Sequence, residues 1–262
     1  MSSVRSWLRG ASLKFMPTKT SQLHVALSYL TPWSGGPSLV RVGGESDGGY
    51  LVPDDFSGVG TLLSPGVAAT WEFERALGDR FGIRSEMIDG SVDAPQDLTD
   101  LQHFQRKWLD TKNGPDRLTL DAWVRQSKQE QTSDLALQMD IEGAEFAILR
   151  SCSIETLRHF RWAVVEFHGL DRMASSLTLR TSILPALRRM DQVFHPVHIH
   201  PNNCCGVVNI RGVIIPKVLE VTYLRRDRFV AGAPVGALPH PLDRSCVAGE
   251  PPIELPRGWP LT

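Results

Sequence analysis

The chain reads as an α/β protein on a doubly wound, mostly parallel, Rossmann-like sheet, and three observations carry that reading. Short apolar runs alternate with stretches of helical periodicity, the pattern of βαβ units whose right-handed crossovers cover both faces of a parallel sheet. The 262 residues suit one large domain with appendages, and 42% apolar against 22% charged residues suffices for a sizeable core. No internal period of roughly 20 to 50 residues is visible, which removes solenoids and propellers.

Taken in order, Leu23, Leu27 and Leu30 mark a weakly amphipathic stretch that stops at Pro32 and Gly35-Gly36. A packing helix is its expected form, with a lid over a site as the alternative. Asp47-Gly48-Gly49-Tyr50 makes a hairpin turn. Thr61-Leu62-Leu63 is the first strand of the alternating series, followed by SPGVAAT and a helix with Ala69, Phe73, Leu77 and Phe81 on one face. Glu72 and Glu74 fall in its first turn, where the helix dipole favours anions, and Gly82 ends it. Ser85 to Ile88 is the second strand, closing on Asp89. Leu135 to Met139 is the third, ending in Asp140-Ile141-Glu142-Gly143 before a helical turn from Glu145 to Leu149. Trp162 to Phe167 is the fourth, closing on His168, and a helix with Ile183, Leu187, Met190 and Phe194 on one face follows. Val197 to His200 and Val213 to Tyr223 complete the strands. Seven of the 18 prolines fall in the last 32 residues, an irregular tail. The expected division is therefore a helical segment (1–38), the main domain (39–230) and a proline-rich tail (231–262).

Lys plus Arg number 28 and Asp plus Glu 29, so the net charge of -1 offers no excess for coating nucleic acid. The first 20 residues hold no signal-peptide apolar run, and no stretch approaches the ~20 residues of a membrane span. Four cysteines (Cys152, Cys204, Cys205, Cys246), two of them adjacent, fit a reduced, cytoplasmic protein. The sequence leaves the oligomeric state open.

In an open parallel sheet, ligands bind at the carboxyl ends of the strands, where strand order reverses. Here four successive strand ends carry Ser64-Pro65-Gly66, Asp89, Asp140 with Glu142, and His168. One acid at a strand end is ordinarily a turn-former or helix cap; four polar ends in series favour a ligand site. Asp89 comes 23 positions after Gly66, placed to accept both hydroxyls of an adenosine ribose. The turn itself has one glycine, without the G-x-G-x-x-G a pyrophosphate needs or the GK[ST] of a P-loop. A nucleoside without phosphates fits better. S-adenosylmethionine is the common one, and its sulfonium suits a pocket lined by Asp89, Asp140 and Glu142. Ser64, Gly66, Val67, Asp89 and Asp140 are the expected cofactor residues, with Asp47 and Tyr50 brought in by the hairpin.

The run LALQMDIEGAEFAIL (Leu135 to Leu149) resembles the D-x-E-G-x-E motif of FkbM-family methyltransferases. The resemblance extends through RVGGESDGGYLV, LLSPGVAATWEFE, VVEFH, HIHPNN and PKVLEVTYLRRD, in order from about Leu39 to Arg228. It implies the class I methyltransferase fold and an S-adenosylmethionine-dependent enzyme, usually methylating a hydroxyl of a sugar, polyketide or related metabolite. Pro65 and Ala68-Ala69 depart from the commoner glycine-rich first turn.

Methyl transfer to a hydroxyl needs in-line alignment, exclusion of water and a base within reach. His168 is the expected base, its imidazole suited to that task. Asp140 and Glu142 are alternatives, with Asp140 better used on the cofactor. Glu145 is either a helix-start charge or a partner of Glu142, and Glu166 inside an apolar strand needs a structural hydrogen bond. His198 and His200 share a strand face and, with Asn202 and Asn203, are expected to wall the small-molecule acceptor. No metal is expected: a divalent ion held by the histidine pair with Asp140 or Glu142 is the disfavoured alternative, and Cys204-Cys205 lacks a CxxC partner. Arg225-Arg226-Asp227-Arg228 reads as a solvated strand end. Two rival classes are a nicotinamide-dependent oxidoreductase, disfavoured by the single-glycine turn, and a non-catalytic nucleoside-binding module, which has no use for the strand-end acids.

Overall fold

The computed structural model describes residues 16–68, 70–127, 133–236, 238–256 and 259. The start of the N-terminal segment (1–15), Ala69 of the first helical face, and tail residues 257, 258 and 260–262 lie outside the described residues.

Helix α1 (Thr20–Ser28) buries Leu23, Ala26 and Leu27, and Leu30 is buried just beyond its end. Strands β1 (Leu39–Gly43) and β2 (Gly49–Pro53) form an antiparallel hairpin around the expected turn. Then come β3 (Val59–Pro65), α2 (Glu72–Phe81), β4 (Arg84–Ile88), β5 (Gln102–Gln105), β6 (Trp108–Leu109) and β7 (Arg117–Leu118). Next are α3 (Leu120–Ser127), β8 (Asp134–Met139), α4 (Glu145–Ser151), α5 (Ile154–Arg158) and β9 (Phe160–His168). After α6 (Ser176–Thr178), a π-helical turn (Leu179–Ile183) leads into α7 (Leu184–Asp191). The last strands are β10 (Phe194–Pro201), β11 (Val207–Ile210), β12 (Val213–Pro216) and β13 (Val218–Arg225).

Seven strands form one sheet in the order β10-β13-β9-β8-β3-β4-β5. The chain moves outward from β3 through β4 to β5, then returns to β8 on the other side of β3, so strand order reverses between β3 and β8. Pairs β3–β4, β4–β5, β3–β8 and β8–β9 are parallel. Side-chain alternation divides the core between the two faces. Leu63, Leu137, Ala163 and Val165 pack with Leu23, Trp123, Phe146 and Leu187 on one side. Leu62, Ala136, Trp162 and Val164 pack with Phe73, Leu77, Val42 and Val52 on the other. Strands buried on both faces must be apolar throughout, which is why LAL and WAVV read as continuous runs.

The structure corrects three sequence readings. Val213 to Tyr223 is two strands: β12 pairs with β11 through a turn in which Arg211 (φ 53°) and Gly212 (φ 88°) are both left-handed, and β13 starts after Pro216-Lys217. Only one residue separates β12 from β13, too few for the helical crossover that a parallel return requires, and β13 runs antiparallel to both β9 and β10. Phe194 belongs to β10, not to the preceding helix. Pro196 would clash with the carbonyl four residues back, so the helix ends before it. The periodicity also missed β5, β6, β7, α3 and α5, which are short.

Toward the carboxyl ends of the parallel strands, the face covered by α2 and the hairpin turns polar. Glu220 of β13 pairs in register with Glu166 of β9 on one side and His200 of β10 on the other. Among the described residues no helix is long and apolar enough to cross a membrane.

Candidate active site

The site begins where β3 meets β8. Gly66 has φ +85°, and a Cβ there would lie 1.6 Å from the Asp140 carbonyl oxygen, so only glycine lets this turn pass flush against the third strand end. Its N–H donates to Ile88 O at 2.9 Å, and Asp140 N–H donates to Pro65 O at 3.3 Å, tying three strand ends together. Asp89 is buried beside the turn, where it accepts Ala68 N–H (3.0 Å), Ser91 N–H (2.7 Å) and the Ser91 hydroxyl (2.6 Å). The next residue, Gly90, carries the half-exposed Trp108 indole, whose ring would lie 2.2 Å from a Cβ at that position.

A cavity of about 100 Å³ opens here, lined by Asp47, Tyr50, Gly66, Val67, Gln138, Asp140 and Glu142 among others. Five of the seven expected cofactor residues line it. Asp89 stands at its edge on the adjoining turn, and Ser64 lies behind the wall. Alternation aims the Ser64 side chain under α2, where it is fully buried and bridges Glu74 and Gln138 Oε1 (2.7 Å from the latter). Gln138 Nε2 in turn donates to Tyr50 Oη at 3.1 Å. Glu74 is thus a buried wall support rather than a solvated helix-start charge, and burial pushes its carboxyl above the ordinary value.

The Asp140–Glu145 loop folds around a second carboxylate. Glu142 (φ +53°) and Gly143 (φ +104°) are both left-handed, a conformation that costs a non-glycine residue about 1 kcal/mol or more and is characteristic of functional loops. Glu145, fully buried at the start of α4, accepts the N–H groups of Ile141 (3.2 Å) and Gly143 (2.9 Å) and faces His168 Nδ1 at 3.1 Å. It therefore closes the loop and fixes the imidazole, a role that helix-start position alone did not reveal. The other ring nitrogen, Nε2, lies 3.4 Å from Glu142, 3.8 Å from Asp140 and 3.9 Å from Glu166. The three expected catalytic residues are brought together.

Charge is in excess here. Burial, then Glu166, pushes Asp140 up to about 8; burial, then Glu220, does the same to Glu166, to about 8. Burial disfavours the imidazolium of His168, but the hydrogen bond and charge of Glu145, aided by Glu166 and Asp140, outweigh it and raise the group to about 9. Asp140 Oδ1 and Glu166 Oε2 are buried without hydrogen-bond partners among the described residues. Glu166 Oε1 does accept Asn202 Nδ2 at 2.8 Å, the structural bond expected of a carboxylate in a strand.

The expected acceptor wall is differently employed. Asp243 of the tail takes His198 Nε2 at 2.8 Å and stands 3.6 Å from His200 Nδ1. Asn203 bonds the backbone of Val247 and Glu250. Of the four, Asn202 alone reaches the carboxylate cluster, and neither histidine pairs with Asp140 or Glu142. The tail that covers them could not be paired with β10 from sequence. A larger cavity, about 280 Å³, lies between β10 and the tail, but its lining of Pro239, Pro252, Ile253 and Leu255 with His200 and Asp243 lacks the strand-end groups. The Gly66 turn, Asp140 and Glu142 line the smaller cavity. The Arg225–Arg228 end is exposed at Arg226, Asp227 and Arg228, as expected, and is ion-paired as well: Arg225 binds Asp134 and Asp227, and Arg228 binds Asp55.

An α/β sheet with an acidic cavity at its strand-order reversal defines a class of small-molecule site, and the chain's similarity to known proteins narrows it. Residues 78–194, a little under half of the chain, match the family model described as the methyltransferase FkbM domain. The match suggests methyltransferase activity. It spans Asp89, the Asp140–Glu145 loop and His168. No curated protein matches the chain.

Proposed function

We propose that this protein is an S-adenosylmethionine-dependent O-methyltransferase acting on a hydroxyl of a sugar, polyketide or related small metabolite. The observation that carries the proposal is the convergence of Asp140, Glu142 and Glu166 on one histidine beside the Gly66 turn. Buried carboxylates lacking partners fit a cationic ligand, and the sulfonium supplies one positive charge together with the transferable methyl group. Asp47, Tyr50, Gly66 and Asp140 would hold the methionine end. Asp89 would take the ribose hydroxyls, with the Trp108 face available to the base.

His168 is assigned as the base. Glu145 against Nδ1 leaves Nε2 toward Glu142 and Asp140, two residues of the cavity wall, the orientation in which a carboxylate-supported imidazole accepts a proton. As the acceptor oxygen forms its bond to the methyl carbon and the carbon–sulfur bond breaks, the hydroxyl proton passes to Nε2. In the ligand-free protein that nitrogen is protonated at neutral pH, so the group must discharge first; arrival of a sulfonium opposes the imidazolium and favours that loss. Equilibrium dialysis of labelled S-adenosylmethionine against the purified chain, with NADH in a parallel cell, tests the reading. Saturable binding of the first and none of the second is expected; the reverse would falsify it.

A further inference from the structure

The polar row Glu166–Glu220–His200 ends in a second cluster outside the cavity. Glu220 Oε1 accepts the Cys246 thiol at 3.1 Å, and donor atoms of His200, Glu220 and Cys246 all lie within 4.8 Å of one another. Asp243, from the same tail segment as Cys246, brings Oδ2 to 3.6 Å from His200 Nδ1. Glu220 and Cys246 are 8% and 7% exposed. Both ring nitrogens of His200 are buried, and neither has a hydrogen-bond partner among the described residues. Buried polar atoms are nearly always partnered, so an imidazole orphaned among a thiol and two carboxylates points to a missing cation.

We propose that His200, Glu220 and Cys246 bind a zinc ion that fastens the C-terminal tail to β10 and β13, with solvent in the fourth position. The donor chemistry selects the metal. Magnesium and calcium take all-oxygen shells, whereas a mixed sulfur, nitrogen and carboxylate set suits zinc in tetrahedral coordination. Charge agrees. Glu220 and an ionised Cys246 bring two negative charges to the neutral imidazole, and a divalent ion neutralises them. Binding forms Zn–N, Zn–S and Zn–O bonds and releases the thiol proton to solvent, with no change of oxidation state. His198, bonded through Nε2 to Asp243 Oδ1 at 2.8 Å, orients that carboxylate. Cys204 and Cys205 are exposed and outside the cluster.

Elemental analysis of the full chain, exposed to zinc and then desalted, should find about one zinc per chain. Cys246→Ser and His200→Ala should each lose most of it, while the double variant Cys204→Ser/Cys205→Ser should keep it. Cobalt in place of zinc should give a thiolate-to-metal absorption band that Cys246→Ser abolishes. On the unmutated chain, chelation should speed tryptic cleavage at Arg244 and returned zinc should slow it again. A zinc-free wild type, zinc retained by Cys246→Ser, zinc lost with Cys204 and Cys205, or a cleavage rate indifferent to chelation would each overturn the assignment.

Discussion

The two ends of the central sheet handle charge in opposite ways. At the amino-terminal ends of β8 and β9, cations and anions are matched. Arg161 bonds Asp134 (2.9 Å) and Asp55 (3.2 Å), Arg225 bonds Asp134 (2.9 Å) and Asp227 (2.7 Å), and Arg228 bonds Asp55 (2.8 Å). Because β13 is antiparallel, its last residue, Arg225, arrives at the start of its neighbours. At the carboxyl ends, Asp140, Glu142, Glu145 and Glu166 crowd one histidine, and two carboxylate oxygens stay unpartnered. Folding alone satisfies the first end. At the second, Asp140 Oδ1 and Glu166 Oε2 have no hydrogen-bond partner among the described residues, the feature the proposed sulfonium would answer.

The largest expected effect belongs to the unmatched end. With an acceptor in hand, His168→Ala and His168→Gln should lower kcat by about 10²–10⁴-fold while S-adenosylmethionine affinity is kept or tightened by loss of the opposing imidazolium. Wild-type turnover should rise with pH as the imidazole, near 9 in the free protein, gives up its proton. Normal turnover in both variants would move the base to Glu142. Next comes the matched end. Arg161→Ala takes one of two arginines from each of Asp55, which keeps Arg228, and Asp134, which keeps Arg225, and should cost about 1–3 kcal/mol in urea denaturation. Glu166→Gln, which keeps an acceptor for Asn202 and removes a carboxyl that burial and Glu220 hold in its protonated form, should leave stability unchanged or improved. Equal losses from the two would erase the contrast between the ends.

A change of the same order is expected at Asp89. Asp89→Ala should weaken S-adenosylmethionine binding by about 1–3 kcal/mol in calorimetry, and undiminished affinity would remove Asp89 from the cofactor site. The subtlest test is the sign of the pH dependence of stability. Asp134 is opposed by burial but lowered overall by its bonds to Arg225 and Arg161, so its contribution is present above the ordinary carboxylate range and disappears as pH falls through the lowered value. Asp140, Glu166 and His168 are raised; the folded state holds their protons longer than the unfolded chain does. Their contribution therefore fades as pH rises from about 4 toward 9. Asp134→Asn should flatten the acid limb, and Glu166→Gln the alkaline one.

Much of the site was legible because it lies in continuous sequence next to strand ends. The runs before Gly66, Asp140 and His168 are largely apolar on both faces, so each announces its own end, while the run before Asp89 is apolar only at Met87 and Ile88. Gln138 and Glu74 were missed because inside a strand or helix they resemble ordinary polar positions. Their roles appear only when alternation and packing stack them behind Ser64 and Tyr50. His198 and His200 were assigned to the acceptor because Asp243, their partner, is more than 40 residues away in a stretch without periodicity. The same distance concealed Cys246. Sequence determined by itself the longer strands and helices around the site and the side chains standing at their ends, since both follow from local period and backbone preference. Tertiary structure alone decided the antiparallel entry of β13, the pairing of tail with sheet and the charge state of each acid. These depend on burial and on distances through space, and Coulomb and desolvation energies take no account of position along the chain.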